Sequence, residues 1–241
     1  MVNSRRFPLH VLSVTLFVTS MVTILPLSAQ AAPKSPSAMS FLAEAKAALA
    51  QQDSVHIVVV SQSGKVTNTV VVDIGKTSGA ESITSGSKTI SISVTPTYAY
   101  LRGSASGLTA IMGLTPAQEK IVGNHSVSMK AGTTPYNNFK SNLTTVALVA
   151  MLPAVKGTSL STSFAMHQKS YVLRWSTKAS GSSPATQSVL RFSTKGLRLP
   201  FGETVTSSSG SGTTTFSKWG EPVSVVAPRS SSLITYSKLF G

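Results

Sequence analysis

The residues best suited to chemistry are few and scattered. Beyond the N-terminal stretch stand three histidines, His56, His125 and His167. No two have the spacing that sets paired metal ligands on one helix face. The acidic residues are Glu44, Asp53, Asp73, Glu81, Glu119, Glu203 and Glu221. None forms a close pair, so a glycosidase-type pair of carboxylates would have to be assembled by folding alone. Serine is abundant, yet no nucleophile elbow occurs: Gly103-Ser104-Ala105-Ser106-Gly107 carries alanine where G-x-S-x-G needs serine. Ser85-Gly86-Ser87-Lys88 matches S-x-x-K, but the partner motifs S-D-N and K-T-G are missing and the match falls in an expected hairpin turn. The sequons at Asn124 and Asn142 are what a Ser/Thr-rich chain produces by chance. With no phosphate-cradling glycine loop either, neither an enzyme nor a cofactor or metal is expected. Function is to be sought in binding.

The chain has no cysteine, so disulfides are excluded and stability must come from apolar packing. Arg5 and Arg6 precede an uncharged apolar run from Leu9 to Leu27, and Ala29-Gln30-Ala31 follows as a small-x-small cleavage pattern. This layout predicts a signal peptide over 1–31 and a single domain over 32–241. His10, Ser13, Thr15, Ser20, Thr23 and Pro26 interrupt the apolar run and make it a poor permanent span. An exported protein is therefore expected, secreted or held in the cell envelope.

Lys and Arg number 21 against 7 acidic residues, a formal charge of +14. Such an excess suits nucleic acid, an anionic membrane or an acidic wall polymer. The basic residues are scattered singly, no helix carries a basic stripe, and the chain reads as exported, so nucleic acid is not expected. A solvated positive surface remains, and net charge alone draws it towards an anionic envelope.

The elements that must position any site follow from periodicity. Ser40 to Gln52 reads as an amphipathic helix with Phe41, Leu42, Ala45, Ala48 and Leu49 on one face. Period-two alternation then predicts strands at Val55–Val60, Val66–Ile74, Glu81–Thr84, Thr89–Thr95 and Tyr98–Arg102. Short helices are expected at Ser106–Met112 and Thr115–Val122, a strand at His125–Lys130, and a mostly helical stretch from Pro135 to Leu152. A second meander follows at Thr158–His167, Ser170–Ser176, Thr186–Thr194, Leu197–Ser207 and Thr213–Trp219, with a final strand at Val223–Ala227. The order predicts an α+β fold in which one large antiparallel sheet packs on a few helices. A sheet of about ten strands must curl, which gives it a concave apolar face.

Particular segments carry a resemblance. They are Val55–Val60, Val70-Val71-Val72-Asp73-Ile74-Gly75, Thr95-Pro96-Thr97-Tyr98-Ala99-Tyr100 before Gly103, and the Pro135–Pro153 segment. Tyr171-Val172-Leu173-Arg174-Trp175, Leu199-Pro200 before Glu203, and Phe216-Ser217-Lys218-Trp219-Gly220-Glu221-Pro222-Val223 belong with them. Together they resemble exported actinobacterial proteins related to the LppX/LprG lipoproteins. That resemblance implies a LolA/LolB-like half-barrel, a curved half-open sheet wrapped around helices, whose cavity takes up the acyl chains of a lipid or glycolipid. The lipobox cysteine of those lipoproteins is absent, so a form without a lipid anchor is expected. Some relatives have an aromatic where this chain has His125-Ser126.

In such a fold Ile90, Ile92, Val94, Tyr98, Tyr100, Tyr171, Leu173 and Trp175 would line the concavity from the sheet, and Ile111 and Met151 from the helices. The same residues could equally be the core beneath the helices. The functional expectation is a monomeric lipid carrier of the envelope. The competing one is a scaffold that binds a protein or an anionic wall polymer through its basic surface.

Overall fold

The computed structural model describes residues 36–165, 168–181 and 183–241. The expected signal peptide and His167 lie outside the described residues. Helix α1 (Ala38–Ala50) starts at Ser37, whose Oγ accepts from the Ser40 amide at 3.1 Å. Five strands follow as a meander: β1 (Ser54–Ser63), β2 (Val66–Gly75), β3 (Gly79–Ser85), β4 (Lys88–Val94) and β5 (Tyr98–Gly103). Helices α2 (Ala105–Met112) and α3 (Pro116–Val122) come next. Thr115 and Gln118 cap α3 reciprocally, with Pro116 in its first turn. Then come β6 (Ser126–Lys130), α4 (Thr134–Asn142) and α5 (Val146–Ala150). The second meander is β7 (Ser159–Ala165), β8 (Gln168–Thr177), β9 (Thr186–Ser193), β10 (Pro200–Ser207) and β11 (Gly210–Ser217). The chain closes with β12 (Leu233–Thr235) and α6 (Tyr236–Phe240).

All twelve strands form one sheet in the order β12-β6-β5-β4-β3-β2-β1-β11-β10-β9-β8-β7. Pairing is antiparallel throughout except at β12–β6. The two meanders are joined by β1 and β11, in register at Ile57 and Phe216. Edge strands β12 and β7 do not pair, so the sheet is curved and unclosed. This is the α+β fold with one large curled sheet that the order of elements predicts, left half-open as the resemblance implies.

Two segments depart from the expected elements. The helical stretch from Pro135 to Leu152 is broken at Leu143 and Thr144, because the backbone there docks on the β2–β3 turn: the Thr145 amide donates to Gly75 O at 3.2 Å. Gly79 makes that approach possible, since a Cβ there would collide with Leu143 O. The second departure is Val223–Ala227, which is irregular. Strand β1 is paired on both sides, by β2 and β11, so the chain leaving β11 finds no free edge beside it. The open edge is at β6, and residues 233–235 take it in parallel.

Residues paired in register stand on the same face of a sheet, and successive residues on opposite faces. Two apolar clusters fill the inner face. One joins Phe41, Leu42 and Leu49 of α1 and Leu148 of α5 to Val55, Ile57, Ile74, Leu173, Leu190, Phe192 and Phe216. The other joins Ile92, Val94, Ala99, Leu101, Val127 and Met129 to Leu108, Tyr136, Leu143 and Leu239. Phe41 and Phe192 are fully buried, with ring centroids 5.1 Å apart edge to face. Among the described residues no helix is long and apolar enough to cross a membrane.

Candidate ligand site on the inner face

Where helices lie over the inner face, it is sealed. The cavity bounded by Leu49, Leu148, Met151, Leu152, Leu190, Pro200, Phe216 and Trp219 has a volume of about 10 Å³. That is room for about one water. The clusters beneath α1 and α5 are therefore core.

One row of the same face is less well covered. Register runs from Leu190 to Glu203, Thr214, Val59, Val70, Ile83 and Ile90 across β9, β10, β11, β1, β2, β3 and β4. Thr214, Val59, Val70, Ile83 and Ile90 are each half-buried, whereas Leu190 at the start of the row is buried. The result is an apolar strip of Val59, Val70, Ile83 and Ile90 that spans three spacings, about 14 Å at about 4.8 Å per strand, and Thr214 and Glu203 extend the row to about 24 Å. At its far end α2 lies against Ile90, where a Cβ on Gly107 would come within 2.9 Å of Ile90 Cγ1.

Two carboxyl groups stand on this largely apolar face. Glu203 lies in the strip's own row and also borders the small cavity. Glu81 lies in the next row, between Val72 and Ile92 and two residues from Ile83. Burial removes water from both and raises the pKa of each carboxyl above its ordinary value.

The residues expected to line a cavity are dispersed. Ile92, Val94 and Leu173 are buried core, at 5%, 0% and 0% exposure. Ile90, Tyr171 and Trp175 are half-buried on the inner face, Met151 borders the small cavity, and Ile111 packs on the second cluster. Tyr171 sits 5.0 Å from the Phe41 ring with the Arg198 guanidinium 4.7 Å above it. Tyr98 and Tyr100 require correction. Ile92 pairs with Leu101 and Val94 with Ala99, so the inward residues of β5 are Ala99 and Leu101. The two tyrosines stand on the outer face, their rings stacked at 6.0 Å. Both faces of Tyr98-Ala99-Tyr100-Leu101 are apolar, so alternation alone cannot tell which points inward.

Sequence reasoning does not single out the strip itself, although Val59, Val70 and Ile83 all lie in strands that alternation locates. The usable signal is the face of an acidic residue: Gly79, Glu81 and Ile83 fall on one face, so a carboxyl has to accompany an inward isoleucine.

The outer face carries a separate polar cavity of about 180 Å³ lined by His56, Asp73, Lys218, Glu221 and Ser224. His56 Nδ1 and Asp73 Oδ1 are 2.7 Å apart, as cross-strand neighbours on β1 and β2. Among the described residues no hydroxyl hydrogen-bonds His56, and no three His, Cys, Asp or Glu side chains converge as for a metal ion.

No family model matches the chain. No curated protein matches it either. Among solved structures it is similar to the lipoprotein LppX of Mycobacterium tuberculosis, at 15% identity and a TM-score of 0.48, covering 78% of this chain and 98% of that one. It is also similar to LprF of Mycobacterium bovis, at 13% identity and a TM-score of 0.48, covering 79% and 96%. A third likeness is to a conserved protein of Thermus thermophilus, at 7% identity and a TM-score of 0.42, covering 82% and 98%. The first carries the name LppX, one of the two lipoproteins whose relatives the sequence resembles.

Proposed function

We propose that this chain binds an amphiphile by laying its acyl chain along the inner-face strip of Val59, Val70, Ile83 and Ile90, and that it works as a lipid carrier of the cell envelope. The observation that carries this reading is the strip's half-burial: Val59, Val70, Ile83 and Ile90 on the concave face are left incompletely covered, while Ile57, Ile92 and Leu190 beside them are buried. A partly exposed apolar surface of this kind is what an acyl chain can cover. Each methylene removed from water contributes about 0.8 kcal/mol. A chain of about ten methylenes then contributes about 8 kcal/mol before the cost of association, which is several kcal/mol. No reacting group is needed. The signal-peptide pattern supports an exported location, and the strong excess of Lys and Arg over Asp and Glu that remains beyond residue 31 would hold the protein near anionic envelope surfaces.

The test is native mass spectrometry of protein purified from its own host, with organic extraction of the same sample. Co-purifying acyl lipid is expected. Protein that is free of lipid, and that also fails to take up a neutral apolar dye, contradicts the proposal.

A further inference from the structure

Glu203 is an oddity that the apolar strip does not explain. Its side chain projects to the inner face beside Leu190 and Thr214 and borders a cavity otherwise walled by Leu148, Phe216 and Trp219. Among the described residues it makes no hydrogen bond and no ion pair. The donors near it are spent elsewhere. Trp219 Nε1 donates to Pro200 O at 3.1 Å, and Arg191 donates to Thr204 Oγ1 at 3.2 Å, on the outer face. Among the described residues no fully enclosed side-chain polar atom lacks a partner, so the Glu203 oxygens keep an opening towards solvent. A carboxyl in an apolar wall with no partner costs stability, and a ligand that donates a hydrogen bond would recover part of that cost.

We propose that Glu203 is the polar anchor of the ligand site and selects an amphiphile with an uncharged, hydroxyl-bearing head group over one with an anionic head. This inference rests on the strip being the acyl site. The head group's hydroxyl donates to the Glu203 carboxylate at the β10 end, and the chain runs over Thr214, Val59, Val70 and Ile83. An anionic head placed there meets the Glu203 charge in a poorly hydrated setting, where like charges repel strongly. Glu81 adds a second negative charge beside the far part of the strip, so reversing the ligand does not relieve the repulsion.

The experiment is competitive displacement of a neutral apolar dye from the whole protein at neutral pH, with monolauroylglycerol and laurate as paired probes. The readout is the ratio of their displacing concentrations in E203Q compared with the wild type, a comparison that cancels the probes' own solubility. Wild-type protein is expected to prefer monolauroylglycerol, and E203Q to reduce that preference by about tenfold, mainly through tighter laurate binding. E81Q is expected to shift the ratio the same way by a smaller factor, and E221Q, on the outer face, to leave it unchanged. A ratio that is the same in the wild type, E203Q and E81Q overturns the anchor while leaving the strip standing. Failure of both probes to displace the dye from the wild type overturns the strip and the anchor together.

Discussion

Two neighbouring parts of the inner face are built alike and end up different. Under α1 and α5, Phe41, Leu148, Phe192 and Phe216 are sealed at 4% exposure or less. A row away, Val59, Val70 and Ile83 have the same apolar character and the same inward direction, yet stay half-buried. The difference lies in the cover. A sheet of twelve strands at about 4.8 Å per spacing is about 53 Å wide. Helix α1, with 13 residues at about 1.5 Å each, spans about 20 Å, and α5 has only five residues. Alternation decides which residues turn inward; the length and placement of the helices decide which of them become core and which become surface.

The largest effect expected from this contrast is on stability. Phe192→Ala should cost about 3–5 kcal/mol in denaturant unfolding, because it opens a cavity in the sealed part. Val70→Ala, in the strip, should cost under about 1.5 kcal/mol. Equal losses would break the distinction between core and strip.

Adding bulk sharpens it. Leu173→Trp and Ile92→Trp overpack buried positions and should destabilise by about 1–3 kcal/mol. Val70→Trp should instead leave stability within about 1 kcal/mol and cut dye uptake severalfold by filling the strip. Uptake that survives Val70→Trp places the ligand elsewhere.

A smaller effect comes from the inner-face carboxyls. Burial raises the pKa of Glu81 and of Glu203 in the folded chain above the unfolded value. Between the two values the native state therefore holds more protons than the unfolded state, and stability falls as pH rises. The contribution is fully present below the unfolded carboxyl value and is lost as pH rises through the folded one. E81Q and E203Q should each be more stable than the wild type at neutral pH and show a flatter stability profile from acid to neutral. A profile unchanged in both variants contradicts the buried placement. The smallest effect is expected at Tyr98→Ala on the outer face: stability within about 1 kcal/mol and unchanged dye uptake.

Much of this architecture is legible in the sequence because period-two alternation is strong in β4, where Ile90, Ile92 and Val94 alternate with serines. The helix start at Thr115-Pro116 is legible for the same local reason. What local pattern does not carry is long-range. Nothing near Leu233 announces that it will pair with Ser126, and nothing in Tyr98-Ala99-Tyr100 says which face its register will turn inward. The strip is hidden for a further reason: half-burial is a property of the cover, and the cover depends on where the helix at Pro135–Leu152 breaks against the β2–β3 turn.

The most direct test of the strip is photolabelling with a monoacylglycerol that carries a diazirine in its acyl chain, followed by peptide mapping. Labels are expected on peptides containing Val59, Val70, Ile83 and Ile90, and competition with unlabelled monolauroylglycerol should remove them. Labels confined to the outer face or to the edge strands β7 and β12, or labels that resist competition, would contradict the account.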